Sequence, residues 1–325
     1  MTASNATLGG ADNLATGDIT KDRALYLKLY AGEVITSFEK HTVMLDKHTV
    51  RTITAGKSAQ VPVIGRIPEA EYHTPGQEIL GQEVPHSEVV IPVDKLLISH
   101  IFIDDLDDAM RHFEVRGKYA DMQGQKLAQT FDKNVMQNGI LGARAVANIT
   151  GEDGGLVLTD ANLGNADDDL YLKAWLTAFR AAKTNFDNKF VVGKRYALIK
   201  PEDYNRLATL VGSNGFSLMN RDHGVTQGDL SQAALPPIAG FEVISSAMLP
   251  TTDASAQAFH AVNASTTKCL CFTEDLVGTV KLMDISLQSQ WDIRRQGTLM
   301  VARYAMGHKG LRPECGCEFR TANPV

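Results

Sequence analysis

The sequence predicts a mixed α+β fold, and two kinds of periodicity carry the prediction. Between residues 104 and about 141, apolar side chains recur at steps of three and four, which is the period of one helix face. Elsewhere, short runs alternate between apolar and polar side chains, which is the period of a half-buried strand. The chain has 325 residues, of which 44% are hydrophobic and 22% are charged, so it can bury a sizeable core.

The overall charge limits the classes of function. The formal net charge is −6, which argues against a dedicated nucleic-acid binder, since such proteins carry a basic excess or a basic stripe. A mildly acidic chain is compatible with lining a compartment packed with DNA, because it repels phosphate. The sequence holds no run of about 18 apolar residues, so we expect no membrane partner.

The long helix over 104–141 is the clearest local signal. Its predicted apolar face consists of Leu106, Met110, Phe113, Gly117, Ala120, Gly124, Leu127 and Phe131. Four aspartates lie at its predicted start: Asp104, Asp105, Asp107 and Asp108. Carboxylates there favour the positive end of the helix dipole. Gly117 and Gly124 each cost about 1 kcal/mol relative to alanine, so we expect another element to pack closely against them.

Residues 50–93 predict two strands joined by a long connection rich in Pro, Gly and Glu. Pro62 and Pro92 lie inside the strand runs, and proline cannot donate to a ladder, so we expect both strands to be edges. A long hairpin that projects from the body fits this pattern. Because an isolated two-stranded hairpin is marginally stable, we expect it to need a neighbour to lie on.

The remaining segments predict shorter elements. We expect an amphipathic helix within 21–40, broken by Gly32, and a connection rich in Gly, Asn and Asp over 142–165. The predicted elements after it are a helix at 167–184, a strand at 190–200, a helix from Pro201, and strands at 240–250, 268–273, 277–287 and 298–306. The order of strand, helix, loop and strand predicts a mixed lobe from about 160 to 262.

Two motifs resemble ligand sites without completing them. Residues 55–58, AGKS, match the end of a phosphate-binding loop, but Arg51 stands where that motif needs glycine. Residues 104–108, DDLDD, match the DDxxD pattern that binds magnesium diphosphate in all-helical terpenoid synthases, and 167–169 offers a second acidic cluster. The helix dipole already explains acidic residues at helix starts, and this chain has too many strands for that class. We therefore expect no cofactor.

The four cysteines form two pairs with one residue between the members, Cys269 with Cys271 and Cys315 with Cys317. On a strand, each pair points to one face. Buried thiols are the favoured interpretation, and a zinc site or local or inter-subunit disulfides remain open. Structural zinc sites usually use CxxC spacing, which is missing here. The nine histidines form no HExxH motif, and no catalytic signature is present.

Five blocks in register give a resemblance to the major capsid proteins of T-seven-like podophages. They are ALYLKLYAGEVITSF (24–38), HTVRTITAGKSAQVPVIGR (48–66), DDLDDAMRHFEVRGKYADMQGQKLA (104–128), VGTVKLMDISLQ (277–288) and RYAMGHKGLRPE (303–314). The resemblance covers most of the chain and is weakest over 150–265. The four cysteines depart from the family pattern.

The resemblance implies the Hong Kong 97-type phage capsid fold and its division into parts. These are an N-terminal arm (1–49), an extended loop (50–93), a peripheral domain with a long spine helix (94–159), an axial domain (160–264), and peripheral return strands with the C-terminus (265–325). Edge strands have unpaired backbone groups that a neighbour can satisfy, so the same subunit can tile head to tail.

The implied function is that of a major capsid protein, which assembles as pentamers and hexamers into an icosahedral head around double-stranded DNA. The implied partners are further copies of the chain, a scaffolding protein, a portal and decoration proteins, with assembly in the bacterial cytoplasm.

We expect basic hairpin residues to meet acidic partners, namely Arg51, Lys57 and Arg66 against Glu69, Glu71 or a neighbour's Asp104 and Asp105. We also expect a shell without covalent crosslinks.

Two alternatives compete with the capsid reading. One is a metal-dependent enzyme that uses the acidic clusters, and the other is an encapsulin-like compartment shell that packages cargo enzymes. Regular particles in electron micrographs separate a shell protein from an enzyme. A neighbouring portal or terminase gene separates a capsid from an encapsulin.

Overall fold

The computed structural model describes residues 19–67, 70, 72–79, 81–104, 116–149, 151–210 and 235–323. Its helices are α1 (Ile19–His41), α2 (Arg116–Arg144), α3 (Asp168–Asn188) and α4 (Pro201–Thr209). Its strands are β1 (Thr49–Thr52), β2 (Ser58–Ile64), β3 (His86–Pro92), β4 (Leu97–Asp104), β5 (Leu156–Thr159), β6 (Arg195–Ile199), β7 (Glu242–Ser245), β8 (Thr267–Thr273), β9 (Val277–Asp292), β10 (Gly297–Gly310) and β11 (Gly316–Arg320). The predicted α+β class is confirmed.

The described strands form three sheets. The first has the order β1-β9-β10-β4, the second has the order β5-β11-β8-β6-β7, and β2 with β3 forms a separate two-stranded hairpin. In the second sheet, β11 pairs in parallel with β5 and antiparallel with β8. β6 pairs antiparallel with β8 and in parallel with β7. β11, the last described strand, is therefore paired on both edges within this sheet.

The chain forms two compact units. The first spans Met1–Leu45, Lys95–Phe131 and Leu282–Met306, and the second spans Asp46–Asp94, Asp132–Lys281 and Gly307–Val325. Three elements, α2, β9 and β10, continue from one unit into the other. The hairpin and the five-stranded sheet belong to the second unit. The five-part division implied by the resemblance stays a prediction.

The first unit packs α1 against the N-terminal half of α2. The Tyr30 hydroxyl donates to Gln123 Oε1 at 3.0 Å, and the Ser37 hydroxyl donates to a main-chain carbonyl of α2 at 2.9 Å. A methyl group at Gly124 would lie 2.5 Å from the Val34 carbonyl oxygen. The helices therefore meet where only a glycine fits, which is the close packing expected for this glycine.

The second unit packs α3 on the five-stranded sheet through aromatic side chains. Asp167 caps the helix, because its carboxylate accepts the first free main-chain N–H groups. Trp175 and Phe179 contact Phe319 of β11, with ring centroids 6.2 and 5.2 Å apart. Such edge-to-face pairs stabilise a core beyond the area that they bury.

A buried ion pair joins the end of α2 to β11. Arg144 donates from Nε and Nη2 to the two carboxylate oxygens of Glu318, each at 2.6 Å. Arg144 Nη1 also donates to the Asn263 carbonyl oxygen at 2.8 Å, in the loop before β8. The Glu318 side chain has no solvent exposure. One guanidinium therefore holds a helix, a strand and a loop together.

Several predicted elements are confirmed. α2 buries Ala120, Gly124, Leu127 and Phe131 of the predicted face. α3 begins at the predicted residue to within one position, and α4 begins at Pro201. The strands predicted near 268–273, 277–287 and 298–306 correspond to β8, β9 and β10.

None of the described helices is long and apolar enough to cross a membrane.

The predicted start of the long helix is wrong at Asp104. This residue ends β4, which pairs with β10 over eight residues, from Leu97 opposite Tyr304 to Asp104 opposite Gly297. The antiparallel ladder pairs the backbone here, so Asp104 is the last residue of a strand. Residues 105–115, which include Asp105 and the first part of the predicted apolar face, lie outside the described residues. The helix ends at Arg144 rather than near 141.

Three further expectations are corrected. α1 continues through Gly32, because nothing crowds that position and one glycine costs a helix of 23 residues little. The segment 142–165 contains β5 and a short 3₁₀-helix at 161–164 in addition to loops. The strand run predicted from residue 50 divides into β1 and β2. β5 and β11 were not predicted, because long-range pairing stabilises these short strands and their own patterns are weak.

The two glycines of α2 give a matched test of the helix packing. We expect Gly124→Ala to destabilise the protein by about 1–3 kcal/mol, because the new methyl group would force α1 away. At Gly117 the nearest atom is Glu33 Oε2 at 3.5 Å, an ordinary contact. We expect Gly117→Ala to stabilise by up to about 1 kcal/mol. Urea unfolding of both variants checks the prediction, and equal effects would contradict it.

The buried ion pair predicts that two carboxylate-to-alanine substitutions differ in how much they lower the free energy of unfolding. We expect Glu318→Ala to lower the free energy of unfolding by about 3–5 kcal/mol, because Arg144 and the Thr267 hydroxyl would both lose a fully buried carboxylate that water cannot replace. The control is Asp187→Ala, which removes a similarly short pair, 2.7 Å from Arg195, whose carboxylate side chain is half exposed. That loss should stay below about 1 kcal/mol. Denaturant titration of both variants measures the difference.

Candidate functional site: the hairpin and its anchors

The hairpin β2–β3 has an antiparallel register that fixes which backbone groups face outward. Its residues pair from Ser58 opposite Pro92 to Ile64 opposite His86. The bonds that flank the ladder join Val93 N to Lys57 O at 2.8 Å and Gly65 N to Pro85 O at 2.8 Å. In an antiparallel pair the bonded and non-bonded positions alternate. The odd-numbered residues therefore bond across the hairpin, and the even-numbered residues present their backbone groups to the outside.

This register explains the two prolines inside the strands. Pro62 and Pro92 are both even-numbered, so their missing N–H groups lie on the outer edges where no ladder bond is lost. The expectation that these strands are edges is confirmed, because the hairpin forms a sheet of two strands.

One face of the hairpin is buried against its own subunit. Ala59, Val63, Val89 and Ile91 form a cluster with three body residues of the second unit, namely Ile149, Val280 and Leu311. All seven are at most 7% exposed. The strands therefore lie on their own body, and the expectation that they need a neighbour to lie on is wrong for this part of the segment. The sequence pattern showed an apolar face and could not show which surface covers it.

Cationic side chains cap outward carbonyls on both hairpin edges. Arg51 Nη1 donates to Gln60 O at 3.1 Å, and Arg312 Nη2 donates to Ile64 O at 3.1 Å. On the other strand, Lys309 Nζ donates to the Val90 carbonyl oxygen at 3.0 Å. These contacts occupy acceptors that an added strand would use, and charged residues on edges commonly prevent such pairing.

Arg66 anchors the far end of β2 to the body. Its main-chain N–H donates to Glu152 Oε1 at 2.6 Å, and its Nε lies 3.7 Å from Glu152 Oε2. The guanidinium also donates from Nη2 to the Lys189 carbonyl oxygen and lies 5.7 Å from the centre of the Phe190 ring. The acidic partner of Arg66 is therefore in its own chain. Whether it also meets a neighbour stays a prediction.

The connection between the strands, residues 65–85, is mostly exposed. Among its described residues, three large apolar side chains lie in solvent: Ile67 is 73% exposed, Tyr72 is fully exposed and Ile79 is 77% exposed. Glu69 and Glu71 lie outside the described residues. Isolated exposed apolar side chains are common, and their occurrence together on one exposed segment makes this segment a candidate interaction surface.

The structure separates the other basic and acidic residues that the sequence grouped together. Lys57 is exposed at the start of β2, and Arg51 bonds a carbonyl. Asp104 lies in the first unit at the end of β4, and Asp105 lies outside the described residues. Contacts of the basic hairpin residues with a neighbour's acidic cluster stay a prediction.

The four cysteines are free and buried in the second unit. Cys269 and Cys271 have their sulfur atoms 3.8 Å apart, and Cys271 lies opposite Cys317 across the β8–β11 pair. Burial raises the pKa of all four thiols, that of Cys315 to about 11, so their reactive thiolate forms are suppressed. No group of three or more potential metal ligands occurs among the described residues.

Sequence reasoning missed three anchors of the hairpin, which are Glu152, Lys309 and Arg312. Each contacts the hairpin backbone from a position distant in sequence, so no spacing rule reports it. The two prolines were the available signal, because outward carbonyls on edges predict that something caps them. They did not indicate which residues do so.

The comparisons with known proteins agree with this geometry. The chain is 33% identical to a chain in the capsid structure of cyanophage P-SCSP1u, with a TM-score of 0.73, covering 99% of this chain and 100% of that one. The fold is thus that of the Hong Kong 97-type phage capsid proteins.

The sequence relatives define the family. The chain is 32% identical to the major capsid protein of Enterobacteria phage T3, over 93% of each chain. It is 32% identical to the major capsid protein of Escherichia phage T7, over 94% of this chain and 93% of that protein. The model of the Gp10A-like major capsid proteins matches residues 60–320. The chain belongs to the Gp10A-like major capsid protein family.

The contacts of Arg66 with Glu152 predict which of two variants exposes the connection more strongly to proteolysis. Arg66→Ala removes the side-chain contacts and keeps the main-chain bond to Glu152, whereas Glu152→Ala removes that bond and the ion pair. We expect both variants to speed chymotrypsin cleavage near Tyr72, Glu152→Ala more strongly, with global stability lowered by about 1 kcal/mol or less for Arg66→Ala. Lys57→Ala is the control. A wild-type cleavage rate in Glu152→Ala would contradict the anchor.

Proposed function

We propose that this protein is the major capsid protein of a phage and that it assembles as pentamers and hexamers into the icosahedral head around double-stranded DNA. The observation that carries the proposal is the combination of a hairpin held on its own subunit with an exposed apolar connection, in a chain of this family. A monomer gains nothing from apolar side chains in water, whereas a neighbouring copy can bury them.

The strands of the hairpin and the connection between them have different contacts. The strands are held by their buried face and by the capping cations, so their position is set within one subunit. The connection at 65–85 remains for the neighbour. Repeated head-to-tail contacts of this kind close into rings and shells. Ion pairs from Arg51, Lys57 and Arg66 to Glu69, Glu71 or a neighbour's Asp104 and Asp105 are part of the same proposal.

The other partners follow from this function. We propose a scaffolding protein and a portal during assembly in the bacterial cytoplasm, DNA held without sequence recognition, and room for decoration proteins. The role is structural and not catalytic. An encapsulin-like shell shares the fold, but the relatives at 32% identity are phage capsid proteins, which favours the capsid. Purified particles that hold a cargo enzyme in place of DNA would support the alternative.

Electron microscopy of the purified protein, with its scaffold, tests the proposal. We expect regular particles from the wild type, and subunits that separate fully on denaturing gels without reductant, since the thiols are buried inside the subunit. Ladders of crosslinked subunits would contradict the non-covalent shell.

A variant pair tests the role of the connection. We expect Tyr72→Asp with Ile79→Asp to abolish regular particles, because two charges would enter an apolar contact. Stability of the subunit should change by less than about 0.5 kcal/mol, since both side chains are exposed. Tyr72→Phe with Ile79→Leu is the control and should assemble. Normal particles from the aspartate variant would contradict the proposed contact.

A further inference from the structure

Three buried histidines lie where the hairpin segment leaves and re-enters the body. His48 directly precedes β1, and Asp94 follows β3 by two residues, so these two residues mark the beginning and the end of the segment. We call residues 46–57 and 93–94 the hairpin roots. His308 of β10 and His260 of the loop before β8 lie beside them in the second unit. All three histidines have nearly buried side chains.

A hydroxyl joins two of the imidazoles. Thr279 Oγ1 of β9 lies 2.7 Å from His48 Nε2 and 2.8 Å from His308 Nδ1. A hydroxyl has one hydrogen, and when it donates to a ring nitrogen, that nitrogen must be unprotonated. Protonation of both rings would leave the buried hydroxyl hydrogen without either ring as acceptor. The network is therefore complete when at least one ring is neutral.

The third imidazole joins the other root. His260 Nε2 lies 2.8 Å from Asp94 Oδ2, and Asn138 Nδ2 donates to His260 Nδ1 at 2.7 Å. The same amide nitrogen donates to Asn134 O at 2.8 Å, which fixes the amide orientation. Nδ1 is then an acceptor, and Nε2–H donates to Asp94. His260 also has a positive φ of 55°, a strained backbone state that tertiary contacts must maintain.

We propose that this cluster is a proton-sensitive latch, in which the Thr279 bridge between His48 and His308 holds the hairpin roots and acidification releases it. The rings of His260 and His308 are 5.6 Å apart, so one positive charge disfavours the next. A cavity of about 430 Å³ lined by Asp94, His260, His308 and Lys309 gives water access to the cluster.

The charges around His308 set the sign of the pH effect. Among the described residues, His48, His260 and Lys309 are the basic groups near it, and Asp94 is the carboxylate on the far side of His260. Burial, followed by His260 and His48, lowers the pKa of His308 well below its usual value. The unfolded chain then binds more protons than the folded one. Stability is complete above about pH 6.5 and falls as the pH drops toward the folded pKa.

Hydrogen exchange of the full-length chain at about pH 7.5 and about pH 5 tests the latch. A group that stays neutral when folded and has an ordinary pKa when open changes the opening equilibrium by up to about 30-fold over this range. After correction for intrinsic exchange, we expect a rise of about tenfold or more in peptides covering the roots and β3. Peptides covering β6, in the same unit, should change less than about threefold.

Variants identify the source of the effect. His308→Asn places an amide near Thr279 and cannot titrate, so the pH effect on the roots should fall below about threefold. His260→Asn is the second variant if the first does not fold, and exposed His73→Asn should keep the wild-type response. The latch is refuted if the roots change no more than β6 in the wild type, or if both cluster variants keep the full effect. Micrographs of the same samples report particle formation separately, so this outcome is independent of the shell.

Discussion

The bidentate pair of Arg144 and Glu318 is the interaction on which the hairpin-bearing unit depends. A fully buried carboxylate is stable only when every oxygen is satisfied, and here one guanidinium and the Thr267 hydroxyl satisfy it. The pair fixes the end of α2 against β11. Ile149 lies five residues after Arg144, and Leu311 lies five residues before the start of β11. Both side chains pack against the buried face of the hairpin together with Val280, and we call these three residues the hairpin seat. The position of the hairpin therefore follows from a contact outside it.

A hairpin seated in this way differs from a free arm. Its apolar face is covered, and several of its outward carbonyls are bonded to cations of the same chain, so strand addition by another molecule would have to break existing bonds. Beyond Arg66, most of the described residues of the connection at 65–85 are exposed. Neighbouring subunits can then be joined through a segment whose attachment is already set, which lowers the conformational entropy lost on assembly.

The sequence predicted the parts of the fold that local periodicity determines. The second half of the long helix was identified because Ala120, Leu127 and Phe131 repeat on one face, and the edge strands because proline excludes an inner position. β4 was missed because the prediction began the helix at Asp104, which is the last residue of that strand. β11 was missed because its strand state comes from two partners far away in sequence. For the same reason the capping role of Arg312 and the seat of the hairpin could not be predicted.

The second unit contains two buried polar networks with opposite requirements for charge. The Arg144–Glu318 network is satisfied when both groups are ionised, and the imidazole network around Thr279 is satisfied while at least one of its two rings is neutral. One network holds the body that forms the seat, and the other holds the roots of the segment that lies on it. In the open state, a histidine takes up a proton at a higher pH than an ordinary carboxylate does, because the unperturbed pKa of histidine is about two units higher. Moderate acidification can therefore loosen the roots while the seat stays intact.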